Sequence, residues 1–513
     1  MNQPTPSEQT NANLYTLFAS RFPADVSRTF IETPTGRRWS YGDLERETAR
    51  FAQAFGRLGL RKGERIVVSV EKSPEALFVY LACLRAGIIY VPLNTAYQAR
   101  EVDYFLADAE PGVIVCRPEA LASISELANR RGIEQVFTLD EQGKGTFVDK
   151  SGAVEPGNPF DTIPCQEDDV AALLYTSGTT GKPKGAMLTH GNLASNALAL
   201  HDAWRWSASD VLLHALPLFH AHGLFVACHG ALLSGAGMFL LPGFEVESVL
   251  AYLPRATVFM GVPTYYNRLL AEPEFSSNVC GSMRLFISGS APLSENTFHA
   301  FRERAGHTIL ERYGMTETLM NTSNPYDGER RPGSVGSALP GIAVRVEDGA
   351  GEDMVGEIQI KGPNVFSGYW RLPEKTAREF TPDGWFRSGD LGKMDKDGYL
   401  FIVGRGKDLI ITGGFNVYPR EVEGALDRLD GVGESAVIGI PDPDFGEKVI
   451  AVVVRESEGE VVTEEGVINA LKKMIANYKV PKRVLFVEDF PRNAMGKVQK
   501  NVLREAYADS PDF

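Results

Sequence analysis

Between residues 65 and 290 the chain alternates short apolar runs with helical stretches, and few architectures accept that order. "RIVVSV" (65–70), "IIYVPL" (88–93), "PGVIVC" (111–116), "EQVFTL" (134–139), "DVAALLY" (169–175) and "MRLFIS" (283–288) read as strands. "SYGDLERETARFAQAFGRLGL" (40–60) places Leu44, Ala49, Phe51, Ala52 and Phe55 at helical spacing, with Gly59 near its end. "PEALFVYLACLRAG" (74–87) reads as a buried helix stopped by Gly87. Strands and helices in this alternation predict an α/β fold of layered, mostly parallel sheets. The texture changes after about residue 335. "IAVRVED" (342–348), "GEIQIKG" (356–362), the turn "DKDG" (395–398) and "YLFIV" (399–403) read as antiparallel hairpins, predicting a small β-barrel-like subdomain. At 513 residues the chain exceeds one core. A linker falls at "GRGKD" (404–408), dividing the chain into residues 1–404, a hinge at 405–408 and a small α+β unit at 409–513. That unit carries a helix near 419–429, strands "SAVIGI" and "VIAVVV", and a helix from Thr463 with Val467, Leu471, Met474 and Tyr478 on one face.

The formal net charge of -14 argues against nucleic acid or an anionic membrane as a partner, so anionic ligands need local cationic pockets. Five scattered cysteines (83, 116, 165, 228 and 280) with no C-x-x-C pair suggest buried thiols in a reducing compartment. No apolar run reaches the roughly 18 residues of a membrane span, and the N-terminus "MNQPTPSEQTNANLY" does not resemble a secretory signal. These features together suggest a cytoplasmic protein.

The stretch with the most chemistry is "YTSGTTGKPKG" (175–185). It is not the common P-loop, which needs glycines five apart followed by Lys-Ser/Thr. Thr176, Ser177, Thr179 and Thr180 offer hydroxyls; Gly178, Gly181 and Gly185 let backbone amides turn toward an anion. Lys182 and Lys184 add positive charge, and Pro183 disfavours helix at Lys182. A cover over a polyphosphate fits this composition.

This loop resembles the phosphate loop of the adenylate-forming acyl-CoA synthetases, a superfamily shared with luciferases and peptide-synthetase adenylation domains. "PLFHAHG" (217–223), "ISGSAPL" (287–293), "ERYGMTET" (311–318), "GWFRSGD" (384–390), "GRGKDLIITGGFNVYPREVE" (404–423) and "PRNAMGK" (491–497) resemble its other motifs, in family order. The resemblance implies two half-reactions. A carboxylate attacks the α-phosphorus of ATP, giving acyl-AMP and pyrophosphate; a thiol, that of coenzyme A, then displaces AMP. It implies that Thr316 contacts phosphate and that Glu317, with Thr176, holds Mg²⁺. It further implies that Tyr313 packs on adenine, Asp390 accepts the ribose hydroxyls and Arg405 reaches ribose or phosphate. The resemblance implies too that Lys497 bridges the attacking carboxylate and the α-phosphate, that Lys407 is the hinge, that Gly413, Gly414 and His222 border the thiol tunnel and that His220 lies by the acid pocket. Relatives are regulated by acylation of the lysine matching Lys497, which makes a lysine acetyltransferase and deacetylase candidate partners.

Within the superfamily, "ERYGMTETLMNTS", "GVPTYYNRLL" and "SGSA" resemble malonyl-CoA synthetases. That likeness places Arg268 on a segment lining the acid cavity, suited to pair the second carboxylate of a dicarboxylate. Ser290 adds a donor, Met315 limits cavity size, and Ala221 leaves room for methylmalonate. Ligation of another acyl or aryl acid, loading of a separate carrier protein, and non-catalytic nucleotide binding are the competing readings.

Overall fold

The structure is a computed structural model, and it describes residues 11–152, 159–176, 183–347, 354–442, 445–456, 462–493 and 495–508. The strands read from the sequence form two large sheets. One runs Val136–Thr138, Val113–Cys116, Arg65–Ser69, Ile89–Pro92, Val170–Thr176, Lys184–Thr189, parallel except at its last pairing. The other has nine strands, with a parallel centre of Leu310–Met315, Leu285–Ser288, Val258–Gly261, Val211–His214 and Gly237–Leu240.

Both faces of these sheets are covered, which is why their strands are near-continuous apolar runs. In Arg65–Ser69, Ile66 and Val68 join the central core while Val67 faces a second cluster. In Val211–His214, Leu212 joins the same central core and Leu213 faces a third. The helix Pro74–Ala86 contributes its apolar side chains to that central core and has all thirteen residues buried. Ser73 caps its start and Gly87, at φ 64°, ends it in the left-handed region. Arg85 is tolerated inside because it donates to Glu45 O, Thr48 Oγ1 and Phe160 O. All five cysteines are buried and unpaired.

After these sheets come four antiparallel strands, Ala343–Glu347, Gly356–Lys361, Phe386–Met394 and Leu400–Arg405, the last two joined through the "DKDG" turn. The short turn Gly406–Asp408 leads to a separate sheet built on the long pair Val432–Asp442 and Gly446–Arg455. Helices Pro419–Leu426, Glu464–Leu471 and Lys500–Ala508 accompany it. The helix begun at Thr463 is shorter than its periodicity suggests. Val467 and Leu471 are buried, but the helix ends there and Met474 and Tyr478 are exposed. The chain must reverse to lay Arg483–Val487 parallel to Gly446–Arg455, and it does so through a turn in which Tyr478 stacks on Phe415 at 4.8 Å.

The carboxyl-terminal unit rests on the larger one. Met495 is buried in the central core. Arg428 pairs with Glu295 at 3.3 Å, and Asn296 Nδ2 donates to Asp427 O.

Candidate active site

The described ends of the "YTSGTTGKPKG" segment lie on two arms, Val170–Thr176 and Lys184–Thr189, which pair antiparallel at the sheet edge with Thr176 opposite Lys184. Ser177, Gly178, Thr179, Thr180, Gly181 and Lys182 lie outside the described residues. Lys184 Nζ sits 4.1 Å from the centre of the Tyr369 ring and 3.8 Å from Glu379 Oε1.

Facing that arm is a hairpin, Leu310–Met315 with Leu319–Ser323. A bulge at Gly314 shapes it: a Cβ there would fall 2.0 Å from Leu319 O, so only glycine fits. Its turn presents half-buried Thr316 and buried Glu317. Tyr369 Oη donates to Glu317 Oε1 at 2.9 Å, and burial raises the proton affinity of this carboxyl. This buried carboxylate accepts one phenol donor and has the Lys184 and Arg405 charges bearing on it. A carboxylate oxygen is a hard donor of the kind Mg²⁺ takes.

The same hairpin carries Tyr313. Its Oη donates to Asp390 Oδ2 at 2.6 Å, and Arg405 Nε meets Asp390 Oδ1 at 2.9 Å. Asp390 and Arg405 are cross-strand partners in the small sheet, so register places the ion pair. Each carboxylate oxygen thus holds one protein donor and keeps lone-pair capacity for a diol.

Lys497 reaches this cluster from the carboxyl-terminal unit. Asn493 Oδ1 accepts the amides of Met495 and Lys497, both at 3.0 Å, closing a tight turn. Gly496, at φ 70°, lets the turn press on the helix Pro263–Ala271: a Cβ there would stand 2.9 Å from Thr264 Oγ1. Burial, reinforced by the Arg405 charge and opposed by Asp390 and Asp408, brings the Lys497 amine down to about 8. Lys407 lies in the short turn Gly406–Asp408, beside the Asp408–Arg504 ion pair. Gly413 and Gly414 form the two-residue tip of an exposed hairpin between Ile410–Thr412 and Phe415–Val417, in the positive-φ conformation that such tips require.

A third group gathers around the end of strand Leu285–Ser288. Ser290, strained at φ 70°, meets His222 Nδ1 at 3.2 Å. His222 opens a π-helical turn, His222–Cys228, and His220 Nδ1 accepts its backbone amide. Burial, with Arg312 next, holds both imidazoles neutral, His220 at about 4 and His222 lower still. Ala221 is buried and Met315 half-buried beside the central core.

Arg268 is exposed on the helix Pro263–Ala271. The cation inside is Arg312, only 3% exposed, with Nε and Nη2 lacking any partner among the described residues. Its guanidinium fills the space beside Gly289, where a Cβ would lie 2.4 Å from Arg312 Cζ. Sequence reasoning passed over Arg312, Tyr369 and Glu379. Nothing in the spacing singles out Arg312, which follows Glu311 in the strand that leads into Tyr313.

Comparison with known proteins agrees with this layout. A family model described as AMP-binding enzyme matches residues 18–370, and one described as AMP-binding enzyme C-terminal domain matches residues 421–497. The chain belongs to the AMP-binding enzyme family. A malonate–CoA ligase of Arabidopsis thaliana is 34% identical, covering 92% of this chain and 85% of its own. A feruloyl-CoA synthase of an Amycolatopsis species is 37% identical, covering 92% and 94%. ATP-bound MatB from Rhodopseudomonas palustris is 52% identical, covers 98% of this chain and 99% of its own, and superposes with a TM-score of 0.94; its apo form gives 0.84.

Proposed function

We infer that this protein is an AMP-forming acid–thiol ligase that joins malonate to coenzyme A through malonyl-AMP. Among the curated relatives, the malonate–CoA ligase of Arabidopsis thaliana and the feruloyl-CoA synthase are about equally close. The observation that carries the choice is Arg312. A buried guanidinium with open donors costs free energy until an anion pairs with it, and it stands beside Ser290 and His222 where an acid must bind. The second carboxylate of a short diacid completes that site. A bulky aryl acid would have to displace the arginine.

In this reading the acid lies between Arg312 and the Lys497 amine, its reacting carboxylate turned to the α-phosphorus of ATP. Two anions must meet, so the work is positioning and charge. Lys497 neutralises the attacking carboxylate and the α-phosphate together. Asp390 fixes the ribose, Tyr313 bears on adenine while its hydroxyl steadies Asp390, and Arg405 balances that carboxylate. Thr176, the hydroxyls and glycines of 177–182, Lys184 and Thr316 face the leaving phosphates. Glu317, with Thr176, would hold Mg²⁺, which would add positive charge at those phosphates. His220 borders the acid. Domain boundaries at 404 and 409 with a hinge at Lys407 then allow the carboxyl-terminal unit to withdraw Lys497 and bring Gly413 and Gly414 to the thiol. Five buried, unpaired thiols support a cytoplasmic location.

The test is pyrophosphate release across malonate, methylmalonate, acetate, butyrate and ferulate, with and without coenzyme A. Malonate should lead by at least tenfold and yield malonyl-CoA. Equal or better release with ferulate or butyrate defeats the assignment.

A further inference from the structure

The arm Lys184–Thr189 and the turn that carries Glu317 belong to different sheets, and residues 366–370 tie them together. Phe366 N donates to Glu317 O at 2.8 Å. Farther along, Met187 N donates to Gly368 O at 2.9 Å and Trp370 N to Gly185 O at 2.7 Å, with Ala186 and Tyr369 bridged antiparallel. The segment is therefore hydrogen-bonded to the turn at one end and to the arm at the other.

Tyr369 reaches both from this segment. It is 4% exposed. Its Oη donates to Glu317 Oε1 at 2.9 Å, which leaves Oε2 to face a cation. Its ring centre lies 4.1 Å from Lys184 Nζ. A ring face attracts an ammonium without neutralising it, so that charge stays available to an anion. Glu379 Oε1 pairs with the same ammonium at 3.8 Å. The ring is itself held in place. Phe366 packs edge-on to it at 4.9 Å, and Tyr369 N donates to Thr376 Oγ1 at 2.9 Å. One fixed ring thus orients a carboxylate and an ammonium, two side chains that would otherwise spread over several rotamers.

We propose that Tyr369 is a positioning residue that couples magnesium to the polyphosphate: its hydroxyl fixes the Glu317 carboxylate and its ring fixes the Lys184 ammonium toward the same phosphates. The proposal rests on the reading of Glu317 as the Mg²⁺ carboxylate and of Lys184 as a phosphate contact. The two contacts separate by chemistry. The hydroxyl serves the cation, so its loss should weaken ATP binding only when Mg²⁺ is present. The ring serves the ammonium, so its loss should weaken ATP binding with or without Mg²⁺.

The experiment is equilibrium binding of ATP to the full chain by calorimetry, without acid or thiol, in Mg²⁺ and in excess EDTA. In Tyr369→Phe, affinity in EDTA should stay within about twofold of the parent, while the gain from Mg²⁺ shrinks by about tenfold, the scale of a hydrogen bond to a charged group. In Tyr369→Leu, affinity in EDTA should also fall, by about two- to fivefold, the lower scale of a cation–ring contact. That second loss should vanish in a Lys184→Met background. An unchanged gain from Mg²⁺ in Tyr369→Phe, equal weakening of that variant in both buffers, or a Tyr369→Leu loss in EDTA that persists without Lys184 each overturns the proposal. A gain from Mg²⁺ that survives intact in Glu317→Gln would defeat the reading of Glu317, and the proposal with it.

Discussion

Tyr313 Oη lies 2.6 Å from Asp390 Oδ2, joining the hairpin that presents Thr316 and Glu317 to the small sheet that presents Arg405. Burial, with the Asp390 charge, pushes the phenol far above its ordinary value, so it remains a donor across the working pH range. A hydrogen bond to a charged group contributes roughly 1.5–3 kcal/mol. Tyr313→Phe keeps the ring and removes the donor. We expect KM for ATP to rise by about tenfold, the lower end of that range, with kcat changed less. Steady-state kinetics with ATP varied checks this; an unchanged KM would mean that Asp390 is held by Arg405 alone.

Lys497 offers a pH test. It must be an ammonium to bridge two anions, and its amine is lowered to about 8. A group lowered in the folded state is charged below that value and loses its charge as pH rises through it. Malonyl-AMP formation should therefore decline above pH 8, falling about tenfold per unit once titration is complete. Lys497→Arg should carry that limb beyond pH 10, because a guanidinium stays protonated there. Lys497→Ala should cost at least ~10²-fold in adenylation at pH 7.5 and much less in transfer from supplied malonyl-AMP.

The alternation of strands and helices, the buried helix before Gly87 and the separate carboxyl-terminal unit follow from local pattern, because a strand covered on both faces must be apolar throughout. Tyr313, Glu317, Asp390, Arg405 and Lys497 are legible only through the motifs' resemblance to the family, and the fold brings them together. Arg312 is different. That its donors lack partners is a property of the packed neighbourhood, and no spacing along the chain encodes it. The same holds for the helix that stops at Leu471. Its stop is set by the need to return a strand alongside Gly446–Arg455, while the periodicity of Met474 and Tyr478 continues past it.

The contact between Gly496 and Thr264 tests the docked arrangement. A Cβ at 496 would meet Thr264 Oγ1 at 2.9 Å, and φ there is 70°. Gly496→Val should hold the Lys497 turn away from the helix Pro263–Ala271 and depress adenylation by ~10-fold or more, through strain of roughly 1–3 kcal/mol. Lys407→Pro should do the opposite. Proline fixes φ near about −65° and resists rotation, so pyrophosphate exchange should survive while transfer to coenzyme A fails. Normal overall turnover in Lys407→Pro would move the hinge elsewhere.

The choice of acid comes down to two arginines. Arg268 is exposed, and ion pairs in that setting contribute about 0–1 kcal/mol, so Arg268→Met should change kcat/KM for malonate by no more than about fivefold. Arg312 is buried with two open nitrogens. Removing one partner of a buried, hydrogen-bonded charge pair costs about 2–5 kcal/mol, on the order of 30- to 4,000-fold. Arg312→Met keeps an apolar stem of similar reach and removes the charge, so malonate should lose on that scale. Butyrate, which has no second charge, should hold steady or gain as a buried unpaired cation disappears. The deciding quantity is the ratio of malonate to butyrate efficiency in the parent and in each variant. A collapse of that ratio in Arg312→Met alone makes Arg312 the selector. A collapse in Arg268→Met alone would mean that Arg268 swings inward when the acid binds and that Arg312 serves the packing around Gly289.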